Sequence, residues 1–432
     1  MQVVTSYKVK IAEYNSIFDG TLAIYREALA YLMAVVNDEW DSIKDVPRME
    51  DKQKYIERLT HNTKMNIAKY DFDSRFHKYP SYLRRSTTVD AIGKVQSYKS
   101  NCAKWESEAK KGKPPTFQTC HDEYPALYKD NMYVRTDDYT AKIKIYHKND
   151  WVWLGVNLRK SDADYILRHK SSSRQTIPTL EKKGRNWYLR FAFVDEVKLT
   201  DSKNMIIGVD LGINNAATCC AMLPDGTVIG RKVISCPVEK DQMEHKLNKI
   251  KKAQRNGAKR TPRLWAYANN YNRALSERTA GEIIAFAILY NANIIVFEHL
   301  DMQGKKRGSK KQRLHMWRKK AVIGMVSCKA HLLGMRISTV CAWGTSKYAY
   351  DGSGVVARDK DNYSVCAFQT GKRYHSDLNA SYNIAARYYI RERLKPLPET
   401  ARLEVSAKVP RLSKRTTCVL SDLISLNAVF AA

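Results

Sequence analysis

Three acidic residues stand at positions where a carboxylate is costly unless something receives its charge. Asp210 ends the apolar run Met205-Ile-Ile-Gly-Val, Glu298 ends Ile294-Ile-Val-Phe, and Asp377 opens Leu378-Asn-Ala-Ser-Tyr-Asn-Ile-Ala-Ala. An acid closing a buried strand loses hydration and needs a partner or a cation in return. Acids gathered from distant parts of a chain suit phosphodiester hydrolysis, in which two Mg2+ ions about 3.5 to 4 Å apart neutralise the attacking and leaving oxygens. Mg2+ prefers oxygen ligands and keeps several waters, so a few carboxylates suffice. In that scheme Asp210, Glu298 and Asp377 are both the catalytic residues and the metal ligands. Asp210 bridges the ions, the other two each complete one shell, and an ion-bound water attacks. Plainer roles exist for each: Asp210 as a strand end before the Gly212 turn, Glu298 as a solvated strand end, Asp377 as a helix N-cap. Their order along the chain favours the shared site.

The elements needed to assemble the three are legible. After Asp210 a second strand runs through Ala216 to Met222, turns at Pro224-Asp225-Gly226, and a third runs from Val228 to Ile234. A long basic helical region covers 238–290, the Glu298 strand follows, and helical sequence leads to a strand from Met335 to Cys341. Asp377 then opens the last helix. The order β-β-β-α-β-α-β-α is that of an RNase H-like fold, which brings three such acids to one end of its sheet.

Upstream, apolar residues from Ile17 to Val35 recur at helical spacing, 51–59 continues in that style, and 81–110 reads as a long helix. Arg84, Arg85, Lys94, Lys99 and Lys104 lie along it, as a solvated face or a phosphate-contacting wall. Ala141, Ile143 and Ile145 then alternate with lysines, Lys148-Asn149-Asp150 turns the chain, and Trp187 to Val194 alternates again. Residues 121–200 are expected to form a small antiparallel β-barrel. The fold class is therefore multidomain α+β.

In 432 residues, 74 Lys and Arg face 44 Asp and Glu, a net charge of +30 that calls for a polyanionic partner. The longest clean apolar stretch, 283–290, is too short to span a bilayer, and the first fifteen residues lack a signal-peptide core. Nine cysteines with no C-x-x-C pair read as reduced thiols. A cytoplasmic protein is expected, with no membrane partner. The densest basic tract holds Lys305, Lys306, Arg307, Lys310, Lys311, Arg313, Arg318, Lys319 and Lys320 around Trp317, just after Glu298; with Arg84 and Arg85 these are the candidate nucleic-acid contacts. Eight more cations lie between Lys246 and Arg263.

At the acidic positions the sequence resembles the TnpB family of transposon-encoded RNA-guided nucleases and their descendants, the miniature type V CRISPR effectors. Gly208-Val-Asp210-Leu-Gly-Ile is similar to the first RuvC motif, Val296-Phe-Glu298-His-Leu to the second, and His375-Ser-Asp377-Leu-Asn379-Ala-Ser-Tyr-Asn383-Ile to the third. Thr345-Ser346-Lys347 is similar to the lead-in to the family's zinc ribbon. The resemblance implies a RuvC nuclease domain over 201–340 and 375–394, a helical recognition domain over 16–120, and a wedge-like barrel from 1–15 and 121–200. An insertion at 341–374 and a tail at 395–432 complete the chain. It further implies Mg2+ and a guide RNA as cofactors, target DNA beside a short flanking motif as substrate, a prokaryotic, nucleoid-associated setting, and a monomer or a homodimer on one RNA. Where the family carries two C-x-x-C pairs, this chain has Ala349 and Gly352, then Ala367 and Thr370. Zinc is not expected, and Tyr348, Tyr350, Tyr363, Phe368 and Tyr374 offer aromatic packing instead. Two alternatives stay open: an RNA-guided repressor that does not cut, and an unguided RNase H-like resolvase or transposase.

Overall fold

The computed structural model describes the chain except for residues 14–15, 109–111, 118–119, 129, 201–204, 300–317, 360–361, 363 and 432. It divides into two compact units, one of Gln2–Asp195, the other of Glu196–Ala432 together with Met1.

In the first unit, helices Ile17–Asp38, Met49–Thr60 and Ser81–Ser107 pack with two small sheets around one hydrophobic core. Phe18, Tyr25, Leu29 and Leu32 from the first helix share that core with Ile143, Ile145, Trp187 and Phe191 from the strands. The helical and β segments expected as separate domains thus bury their apolar faces together. Thr140–His147 and Asp150–Asn157 form the expected hairpin, and Lys148 and Asn149 both take positive φ in its two-residue turn. Tyr133–Arg135 joins this pair, while Gln2–Lys10, Arg174–Gln175 and Thr179–Lys183 belong with Asn186–Glu196 to a second sheet. An isolated bridge joins Ile11, just after Gln2–Lys10, to Leu158, just after Asp150–Asn157. Helix Lys160–His169 interrupts the β region; it buries only Ala163 and Ile166, too sparse a pattern to stand out in sequence.

The second unit is built on a five-stranded sheet in the spatial order Val228–Ile234, Ala217–Met222, Ile206–Asp210, Ile294–His299, Arg336–Cys341. The first three strands form an antiparallel meander, and the last two run parallel to Ile206–Asp210. Alternation of side chains gives the sheet two apolar faces. Ile207, Val209, Ile295 and Phe297 face helices Pro262–Leu289 and Lys319–Leu332. Ile206, Ile294, Val296 and Val340 face the last long helix, Ser376–Leu394. That helix is buried nearly all round, from Asn379 to Ile390, so it needs cover on its far side. The tail supplies it: Leu420, Leu423 and Leu426 of helix Leu420–Ala431 join the same core. Among the described residues no helix is long and apolar enough to cross a membrane.

The insertion carries a small three-stranded sheet, Ala357–Arg358, Val365–Ala367 and Arg373–His375. Its core is Ala349, Val356, Cys366 and Phe368. The Tyr350 ring lies edge-on to Phe368, Tyr374 and Tyr382 at centroid distances of 5.4, 5.3 and 5.2 Å, a favourable aromatic arrangement. Tyr363 lies outside the described residues.

Candidate active site

Two features of the sheet and one glycine bring the acids together. Strands Ile206–Asp210 and Ile294–His299 pair in parallel with Val296 opposite Gly208 and Phe297 opposite Val209. One step further along this register, Glu298 is level with Asp210 and projects from the same face. Gly208, two residues before Asp210, also belongs to that face. A Cβ there would lie 2.6 Å from the Ser381 carbonyl and 2.9 Å from the Ala385 Cβ. Only a residue without a side chain lets the Ser376–Leu394 helix settle this close, and its first turn carries Asp377.

Glu298 and Asp377 both act on Asp210. Burial, then Glu298 and Asp377, raise the Asp210 carboxyl well above the usual carboxylate range, and Arg358 works in the opposite sense. Burial raises Glu298 as well, offset by its hydrogen bond from Thr345 and by the Arg387 and Lys319 charges. Asp377 accepts a hydrogen bond of 2.8 Å from the Asn215 amide, in the loop that follows Asp210. The N-cap position is taken by His375, whose Nδ1 faces the Leu378 amide, which leaves the Asp377 carboxylate free of that role. Among the described residues no three Asp, Glu, His or Cys side chains form a ready cluster of metal ligands.

Residues to which the sequence alone assigned no role at the site hold this arrangement in place. Thr345 donates its hydroxyl to Glu298. The Asn383 amide donates to the carbonyls of Thr345 (2.9 Å) and Tyr348 (3.0 Å), and Asn379 donates to that of Tyr348 (2.9 Å) while accepting from the Tyr350 amide (2.8 Å). The buried Arg387 guanidinium donates to the carbonyls of Cys341, Trp343 and Cys418. Lys240, half-buried in the first turn of helix Pro237–Arg255, donates to the Asn214 carbonyl, and burial lowers its pKa. A spacing signal existed for two of these: Asn379 and Asn383 sit on the same helix face, one turn apart, just after Asp377.

The candidate nucleic-acid residues divide. Lys305, Lys306, Arg307, Lys310, Lys311 and Arg313 lie outside the described residues, as does Trp317. Arg318 and Lys320 are exposed, whereas Lys319 is buried near Glu298. Arg85 is exposed, but Arg84 is buried with its guanidinium 3.6 Å from both Glu57 and Asp73. Arg84 thus belongs neither to a solvated face nor to a phosphate-contacting wall, the two roles open to this helix, because the acids of neighbouring elements already receive its charge. Of the cations from Lys246 to Arg263, five lie on helix Pro237–Arg255 and Arg263 on helix Pro262–Leu289, while Lys259 and Arg260 lie in the linker that follows Gly257, which takes the left-handed region. Lys246 lies over the rings of Tyr267 and Tyr271.

The chain shares its mixed α+β fold with the protein of the Cas12f1-sgRNA-target DNA complex, with a TM-score of 0.53 and 15% identity over 86% of this chain and 81% of that one. The likeness to the mini-RNA-guided endonuclease CRISPR-Cas_phi3 is looser, at a TM-score of 0.44 and 12% identity over 89% and 92%. C2c1 of Alicyclobacillus acidoterrestris in complex with single-guide RNA follows at 0.43 and 9% over 87% and 69%. The Aq_aa04 family model matches residues 5–147, all within the N-terminal unit. No curated protein sequence matches this chain.

Proposed function

We propose that the chain is an RNA-guided, Mg2+-dependent DNA endonuclease, a TnpB-like or miniature type V effector whose second unit is an RNase H-like (RuvC) nuclease and whose first unit holds guide RNA and heteroduplex. The observation that carries this is the placement of the acids: Asp210 and Glu298 level at the ends of neighbouring parallel strands, and Asp377 in the first turn of the helix that packs on Gly208. A fold that buries like charges together at a sheet end meets a cost that cations lift. The fold of a Cas12f1 protein seen with guide RNA and target DNA, and the net charge of +30, support the polyanionic partners.

The donor chemistry fits a hard divalent cation. Asp210, Glu298 and Asp377 offer only oxygens, the donors that such an ion prefers while retaining most of its water. When bound, such ions neutralise phosphate charge and lower the pKa of a coordinated water. The chain does the rest. Asn215 orients the Asp377 carboxylate, and Thr345 fixes one oxygen of Glu298, leaving the other oxygen of each for a ligand. Arg358, on the insertion, is close enough to act on Asp210 and would add a positive charge near a scissile phosphate bound there. Sequence choice falls to guide pairing, and the protein holds the duplex by shape and charge.

Sequencing the nucleic acid that copurifies with the protein tests this reading. A discrete structured RNA that programmes cutting of matched DNA with Mg2+ is expected. Programmed binding without cutting by the parent protein points to the repressor, and absence of a defined RNA to an unguided enzyme.

A further inference from the structure

The loop that leaves the last strand of the sheet carries a large ring into solvent. Trp343 is 53% exposed, two residues before the Thr345 that grips Glu298. Its Cα is therefore within about 7 Å of that of Thr345. The parallel register pairs Glu298 with Val340 and His299 with Cys341, so the loop begins just beyond the level of the acids.

A lone exposed apolar side chain is ordinary on a protein surface. Trp343 differs because the fold fixes its backbone with a buried charge. Arg387 donates to the Trp343 carbonyl at 2.9 Å and to that of Cys341 at 2.8 Å. Its ring is flanked by Tyr348, with centroids 6.1 Å apart, and by the Lys347 ammonium, 5.7 Å from the indole and 5.8 Å from the Tyr348 ring. An aromatic pair on an anchored backbone, with a cation over both rings, combines the two features that hold single-stranded nucleic acid: a face for a base and a charge for its phosphate.

We propose that Trp343, with Tyr348 and Lys347, is a stacking platform for an unpaired nucleobase of the strand that enters the carboxylate site. The inference deepens the nuclease reading and rests on it for the role of that strand. An indole face accepts any base, so the platform orders the strand without reading its sequence.

Fluorescence anisotropy on the full chain in EDTA tests it, with a labelled short oligothymidylate and an abasic chain of the same length as probes. The parent is expected to bind oligothymidylate more tightly than the abasic chain. Trp343→Ala weakens the first roughly tenfold and leaves the second unchanged, while Trp343→Phe keeps most of the affinity. Equal binding of both probes by the parent, or equal loss on both in Trp343→Ala, overturns the platform, and the parent comparison needs no variant to fold. Base-dependent binding by a parent that fails to cleave guided DNA would instead remove the nuclease reading and leave the platform standing.

Discussion

Thr345 joins two of the three acidic positions: its hydroxyl donates to Glu298, and its carbonyl accepts from Asn383, six residues beyond Asp377 on the last long helix. The second and third acids are thus held in one frame, because a shift of the helix moves the loop that orients Glu298.

Removing that hydroxyl separates positioning from folding. Thr345→Val is expected to lower guided cleavage about 10- to 100-fold, the usual effect of losing a partner behind a ligand, with the melting temperature nearly unchanged. Thr345→Ser keeps the donor and stays close to the parent. Single-turnover cleavage with differential scanning calorimetry checks this, and equal loss in both variants would contradict it.

Gly208 sets the approach of the same helix. In Gly208→Ala the new methyl meets the Ser381 carbonyl, which cannot swing aside as a side chain can. The helix must move, at a cost of about 1 to 3 kcal/mol, and Asp377 moves with it. Cleavage is expected to fall further than the stability loss alone explains, measured as activity at a temperature where the variant remains folded. Wild-type activity in this variant would mean that the close approach is dispensable.

Burial and neighbouring acids raise Asp210 in the folded state, so the folded protein binds protons more readily than the unfolded chain. The stability this contributes is present below the unfolded pKa and lost as pH rises through the folded one. Without divalent ions, Asp210→Asn is expected to melt above the parent at neutral pH, and the gap narrows in acid. Added Mg2+ should raise the parent more than the variant, since a ligand of the native state stabilises it. Melting curves across pH with and without Mg2+ test this; a variant less stable than the parent at neutral pH counts against it.

The insertion stands on rings. Phe368, buried against Tyr350 and Tyr374, is expected to cost about 3 to 5 kcal/mol of the insertion's packing when cut to alanine. A zinc chelator added during refolding leaves the parent unchanged. Near-ultraviolet circular dichroism follows both. Chelator sensitivity would show that a metal, not the aromatic cluster, holds this segment.

Much of the sheet was readable because its strands are short apolar runs with an acid or a turn at the end, as at Asp210, Glu298 and Pro224-Asp225-Gly226. The supports of the site were not. Thr345 and Arg387 act through carbonyls and a single hydroxyl on segments distant in the chain, and no periodicity marks such bonds. The tail was equally opaque: Leu420, Leu423 and Leu426 gain meaning only once Ser376–Leu394 is seen to be apolar on both sides. Arg84 shows the converse, since a basic residue on a charged helix looked solvent-facing until Glu57 and Asp73 appeared beside it.

The decisive measurement is cleavage of guide-matched DNA by the copurified RNA–protein complex with Mg2+, the parent beside Asp210→Ala. The account predicts cutting by the parent and at least a thousandfold loss in the variant, roughly 4 kcal/mol of barrier, with target binding retained. A variant that cuts as well as the parent contradicts it.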